Sequence, residues 1–188
     1  ARLERKAYAR NQRNGRRAYN TVNELLEQYD AIGVEKAVVL PGSSPECSYQ
    51  MQSSDDVLLI AREHPDRIIP FCNVSPLAVS NSPDADLGPL LQFRREQGFK
   101  GIGEVTCNRP FLNPIMLNFF KHVQAVGFPL TFHIAPQIGG TYGIYDDPGL
   151  PQLERCLTMF PELKFFGHST AFWAEITELE KTGDRNYY

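Results

Sequence analysis

The sequence predicts an α/β protein built from successive βαβ units, and three observations lead there. Short apolar runs recur along the chain, helical patterns with defined ends fill the intervals, and the spacing from run to run is nearly constant. The runs are Lys36–Leu40, Ile68–Asn73, Lys100–Glu104, Pro129–His133 and Lys164–His168. Their centres (Val38, Pro70, Ile102, Thr131 and Phe165) lie 32, 32, 29 and 34 residues apart. A period of ~30 residues is that of a strand plus a crossover helix. Continuous apolar stretches such as Ala37-Val38-Val39-Leu40 suit strands covered on both faces, the condition of a parallel sheet.

Each interval reads as a helix with a start and a stop. Thr21 and Glu24 form a capping box ahead of Val22, Leu25, Leu26 and Tyr29, and Gly33 ends that helix. Ser53 and Asp56 open the next, which carries Val57, Ile60 and Ala61 and halts before Pro65. Leu87, Leu90, Leu91 and Arg94 lead to a stop at Gly98. Asn113-Pro114 and Asp147-Pro148 each place an N-cap residue before a proline at the first helical position. Those two helices end near Gly127 and Pro161, and Thr170 caps a last helix bearing Phe172, Trp173, Ile176 and Leu179. Five strands leave two architectures, an open doubly wound sheet or part of a (β/α)8 barrel. A dinucleotide-binding sheet would be helped by a GxGxxG turn, and none is present. Gly101-Ile102-Gly103-Glu104 lies inside a strand, so its glycines make no phosphate loop.

Composition narrows the class. With 42% hydrophobic and 22% charged residues, the 188-residue chain has enough apolar material for one good-sized core, so we read it as a single domain. No run approaches the ~20 apolar residues of a membrane helix, and Ala1 to Arg17 has no apolar stretch like that of a secretory signal. Cys47, Cys72, Cys107 and Cys156 form no CxxC pair, which points to free thiols in a reducing, cytoplasmic compartment. The net charge of −3 hides a basic N-terminal arm over residues 1–17, with seven basic residues against Glu4 alone. The remainder is acidic and the arm lacks interleaved aromatic residues. Nucleic acid is therefore not an expected partner, nor is a membrane. The expected partners are a small-molecule substrate and, in a homo-oligomer, further copies of the chain.

In a barrel, functional groups gather at the C-terminal ends of the strands. The third apolar run ends in Glu104, the fourth in His133 and the fifth in His168. Three polar groups at matching positions on consecutive strands project onto one face. Hydrophobic patterning alone would fill such positions with apolar or turn residues. Imidazole and carboxylate are ligands that suit zinc, and manganese or iron less selectively. His64, at a helix end before Pro65, and His122, mid-helix, receive no role. Asn73, Arg109 and Trp173 follow strand ends and are the candidate substrate-binding residues. Arg109 suits a bidentate grip on a carboxylate. Ser43 and Ser44 follow the first run, and Tyr142-Gly143-Ile144-Tyr145 suggests a lid.

Here the sequence resembles the amidohydrolase superfamily, in the branch of amidohydrolase-related hydrolases that includes relatives of aminocarboxymuconate-semialdehyde decarboxylase. The resemblance rests on Gly33-Val34-Glu35-Lys36-Ala37-Val38-Val39-Leu40-Pro41, His64-Pro65-Asp66-Arg67, Gly101-Ile102-Gly103-Glu104, Pro129-Leu130-Thr131-Phe132-His133 and Gly167-His168, and covers about residues 20–180. It implies a distorted (β/α)8 barrel with one or two divalent metals. By position, His133 matches the fifth-strand metal ligand. His168 matches the sixth-strand histidine, which binds a second metal or acts on metal-bound water. Glu104 is similar to a fourth-strand carboxylate that ligates or bridges. The family also uses an HxH pair on its first strand and an aspartate on its eighth, and neither has a counterpart in these 188 residues. The expectation is therefore a partial barrel of about five βα units, the central part of a metal-dependent hydrolase. A non-oxidative decarboxylase on the same scaffold is the alternative, and a non-catalytic barrel or interaction protein is the alternative of another class.

Overall fold

The structure, a computed structural model, describes residues 21–42, 52–135 and 143–177. The basic arm, Ser43, Ser44, Cys47, Tyr142 and Leu179 lie outside the described residues. All five apolar runs form strands, and two further strands join them. In chain order they are β1 (Ala37–Val39), β2 (Ile68–Pro70), β3 (Ile102–Val105), β4 (Cys107–Pro110), β5 (Leu130–Ala135), β6 (Gly143–Tyr145) and β7 (Phe165–His168). The helices are α1 (Val22–Ile32), α2 (Ser54–Glu63), α3 (Gly88–Gln97), α4 (Pro114–Val126), α5 (Pro151–Met159) and α6 (Thr170–Ile176).

Every strand pair is parallel. β1 lies beside β2, and β3 beside β5, which in turn pairs with β7. Backbone hydrogen bonds from Cys72 N to Gly101 O and from Gly103 N to Cys72 O, both 2.9 Å, join the end of β2 to β3. The result is an arc, β1-β2-β3-β5-β7, in which the strands of the five apolar runs follow one another in chain order, as βαβ crossovers produce. β4 and β6 extend the C-terminal end of this arc: β6 pairs with the last residues of β5 and with β4. This is part of a TIM barrel.

One face of the arc carries the core. Leu130, Phe132 and Ile134 of β5 and Ile102 and Val105 of β3 pack with Leu58 of α2, Leu91 of α3, Met116, Phe119 and Phe120 of α4, Cys156 of α5 and Ala171 of α6. Aromatic rings meet edge to face through this layer, Phe111 on Phe132 at 5.2 Å and Phe132 on Phe172 at 5.7 Å. That geometry puts the positive ring edge on the negative ring face. Because strand side chains alternate, Thr131 and His133 point to the opposite face of β5. On β7 the neighbours in register are Phe166 and His168, so the same face continues there.

The helix ends follow the sequence with two corrections. Thr21 and Ser53 form their capping boxes, Asn113 caps α4, and Gly33, Gly98 and Gly127 close α1, α3 and α4 in the left-handed conformation. Asp147-Pro148 does not open α5, which begins at Pro151 behind Leu150 at φ 56°. The neighbouring Asp146 takes over the cap: its buried carboxylate accepts the backbone N–H groups of Gln152 (3.1 Å) and Leu153 (2.8 Å). Thr170 is the first residue of α6 rather than its cap, and Ser169 supplies the capping oxygen. The lid expected at Tyr142-Gly143-Ile144-Tyr145 is, over Gly143–Tyr145, the strand β6. Gly143 is pressed so close to β5 that a Cβ there would stand 2.5 Å from Ala135 N. Among the described residues no helix is long and apolar enough to cross a membrane.

Candidate metal centre

Regular alternation would put Glu104 in the wrong place. Ile102 pairs with Leu130, so an unbroken ladder would set Glu104 beside Phe132, facing the helices. Instead Val105 pairs with Phe132, which means three steps along β3 match two along β5. The extra residue is a β-bulge, a device that re-aims a side chain. Ile102 and Val105 both stay in the core, and Glu104 turns to the face that carries His133. Gly103 makes this possible: its φ is 152°, and a Cβ would lie 2.8 Å from Thr131 Cβ and 3.0 Å from Thr131 O. Only glycine tolerates that approach without strain.

The three strand-end residues meet around one carboxylate oxygen. Glu104 Oε1 accepts a hydrogen bond from His133 Nδ1 at 3.0 Å and another from His168 Nδ1. The two imidazoles, side by side in register on β5 and β7, stand perpendicular with 5.7 Å between ring centres. Candidate ligand atoms of all three side chains lie within 4.8 Å of one another. Two imidazole nitrogens and a carboxylate oxygen converging at strand ends have the donor chemistry and closeness that a small divalent ion requires. Glu104 and His133 are largely covered, whereas the His168 side chain is 55% exposed and forms the open side of the group.

The electrostatics favour the ligand state. Burial pushes the Glu104 carboxyl up, but the hydrogen bonds from His133 and His168, together with their charge, outweigh it and hold the group below its usual range. Glu104 is therefore an anion at neutral pH. Two polar residues behind the triad hold its frame. Asn73 Nδ2 donates to Glu104 O at 2.9 Å. Ser169 Oγ, next to His168, accepts from Ile134 N at 3.3 Å, next to His133, and so ties the two histidine-bearing strand ends together.

The structure thus brings Glu104, His133 and His168 together, as the strand-end reading expected. Asn73 stands beside them but spends its side-chain amide on the Glu104 carbonyl. Arg109 lies on β4 with a half-buried side chain. Its neighbour Asn108, at φ 50°, has a buried Oδ1 without a hydrogen-bond partner. Trp173 is 57% exposed on α6, and its ring contact is with Phe172. His122 faces Asp86 at 3.9 Å, away from the centre. Ser169 is the positioning residue that sequence reasoning missed. Its position directly after a strand-end histidine was the available signal.

No protein-family model and no curated protein matches the chain. Solved structures do. An uncharacterized TIM-barrel protein from Bordetella bronchiseptica superposes with a TM-score of 0.59 at 16% identity, over 81% of this chain and 52% of that one. The 5-carboxyvanillate decarboxylase of Sphingomonas paucimobilis superposes at 0.53 and 16% identity, over 82% of this chain and 54% of that one. The chain spans about half the length of the structures it resembles. At such identities the likeness is one of fold, and the fold shared is the TIM barrel.

Proposed function

We propose that the protein is a metal-dependent hydrolase of the amidohydrolase superfamily, with Glu104, His133 and His168 as protein ligands. The observation that carries this reading is the convergence of the three side chains at the C-terminal ends of β3, β5 and β7. A divalent ion, zinc by preference for this donor set, supplies Lewis-acid activation of a water and of the substrate oxygen. The chain's own residues do the rest. Glu104 provides negative charge next to both imidazoles, and His133 fixes the buried side of the group. His168 is the exposed member, and with Nδ1 on Glu104 its remaining ring nitrogen would serve either as a ligand or as the acceptor of the water's proton, not both at once. Arg109 is proposed for a substrate carboxylate, and Trp173 for an apolar wall.

Non-oxidative decarboxylation is the second reading, supported by the likeness to a decarboxylase, and by fold analogy only. A cytoplasmic setting is proposed on cysteine usage, since the four cysteines are far apart and form no CxxC pair. Elemental analysis of the full-length protein tests the metal reading. Wild type and Cys72→Ala should carry stoichiometric divalent metal, and His133→Ala should lose it. Cys72 is the right control because it sits at a strand end but donates its thiol to Gly101 O, at 3.6 Å, and stays protonated. A folded His133→Ala protein with full metal occupancy would remove the centre of the proposal.

A further inference from the structure

We infer that Asn73 is a positioning residue of this centre, a bracket that sets the direction of the Glu104 carboxylate rather than a contact for substrate. The inference rests on the reading of Glu104 as a metal ligand. The bulge in β3 leaves its extra residue out of register with β5, so the Glu104 peptide lacks a regular ladder partner there. On its other side β3 is held by two consecutive residues after β2, the second of which reaches Glu104 itself. Cys72 O accepts from Gly103 N at 2.9 Å, and Asn73 Nδ2 donates to Glu104 O at 2.9 Å. Asn73 is itself anchored, because its backbone N–H donates to Ser54 Oγ at 3.0 Å, and Ser54 is buried in the first turn of α2. The path runs from the helix start to the strand end, then to the bulge, and finally to the carboxylate that both histidines share. A side chain two bonds-networks removed from the donor atoms thereby controls where the central one points.

Partners of this kind, one step behind the ligands, typically change metal affinity ten- to a hundred-fold when removed. The test uses the full-length protein and zinc affinity measured by chelator competition, with the visible absorption of the cobalt-substituted protein as a reporter of coordination geometry. Asn73→Ala and Asn73→Asp should each weaken zinc binding by about ten- to a hundred-fold and alter the cobalt spectrum. Asn73→Asp keeps the size of the side chain while losing its amide donor, so it carries the test if Asn73→Ala does not fold. The control is Asn118→Ala, which deletes a similar amide-to-carbonyl hydrogen bond (to Ala85 O, 2.8 Å) away from the centre. It should leave both readouts unchanged. Zinc binding as tight in folded Asn73→Asp as in wild type overturns the bracket while the metal centre stands. An equal loss in Asn118→Ala overturns it too, since the effect would then be one of general stability. A wild-type protein that binds no zinc removes the metal reading and the bracket with it.

Discussion

At the scale of single residues, the most consequential substitution of one role for another is at the start of α5. Sequence rules put the cap on Asp147, before Pro148, yet the carboxylate that serves α5 belongs to Asp146. Leu150, the residue in the cap position, has an apolar side chain and a left-handed backbone, so it caps nothing. Asp146→Ala should therefore cost about 1–2 kcal/mol in urea-induced unfolding, the worth of a lost N-cap. The pH dependence has a definite sign. Burial raises the Asp146 carboxyl, and the negative charge of Asp147 adds to this, while hydrogen bonds from Leu153, Gln152 and Asp147 only partly oppose it. The folded state then binds the proton more tightly than the unfolded one. That increment of stability is present below the unfolded pKa and is lost as pH rises through the folded pKa. Against the non-titrating Asp146→Asn, wild-type stability should fall across this window just above the ordinary carboxylate range. Unfolding midpoints that rise there instead would refute the assignment.

At the scale of elements, the bulge in β3 is what converts a strand into part of a site. Glu104 could be picked out in the sequence because it ends an apolar run, but that run does not say which way its last side chain points. Period-two alternation from Ile102 would bury Glu104 among the phenylalanines of the helix layer. The register slip decides otherwise, and it depends on the close approach of Gly103 to Thr131. Gly103→Ala should lower stability by about 1–3 kcal/mol, because alanine at that backbone conformation is strained and meets Thr131. It should also reduce metal content, since relief of the clash moves the Glu104 peptide. Thermal melting and elemental analysis of the same preparation check both halves. A variant as stable and as metal-loaded as wild type would mean that the bulge is incidental.

At the scale of the molecule, the arc is open among the described residues. Among the described residues β1 pairs only with β2 and β7 only with β5, so each has a free edge. Phe166, on the same face as His168, is 46% exposed, as expected for a barrel interior that five strands do not enclose. Unpaired edges and uncovered apolar residues drive association. The 188-residue chain expressed alone should consequently self-associate, which sedimentation velocity would report as species larger than a monomer. A monodisperse monomer with a sharp cooperative melt would contradict this. The experiment also bears on the expected homo-oligomer, because association through strand edges would differ from a defined closed assembly by its spread of sizes.

The sequence by itself determined the order and type of the principal elements. Apolar runs, capping boxes and left-handed glycines are local signals, and Thr21, Ser53, Gly33, Gly98 and Gly127 each act where a neighbour a few residues away demands it. It also marked three polar residues at or near the C-terminal ends of β3, β5 and β7, and therefore which could meet. Only the tertiary structure decided that they do meet. The slip between β3 and β5, the ties through Asn73 and Ser169, and the pairing of β4 with β6 all depend on contacts between residues about 20 to 40 positions apart. No local propensity encodes them, because the partner that stabilises each is fixed only when the sheet has assembled. Asp146 belongs with these, since its capping role follows from a left-handed turn at Leu150 and from burial that no stretch of chain announces.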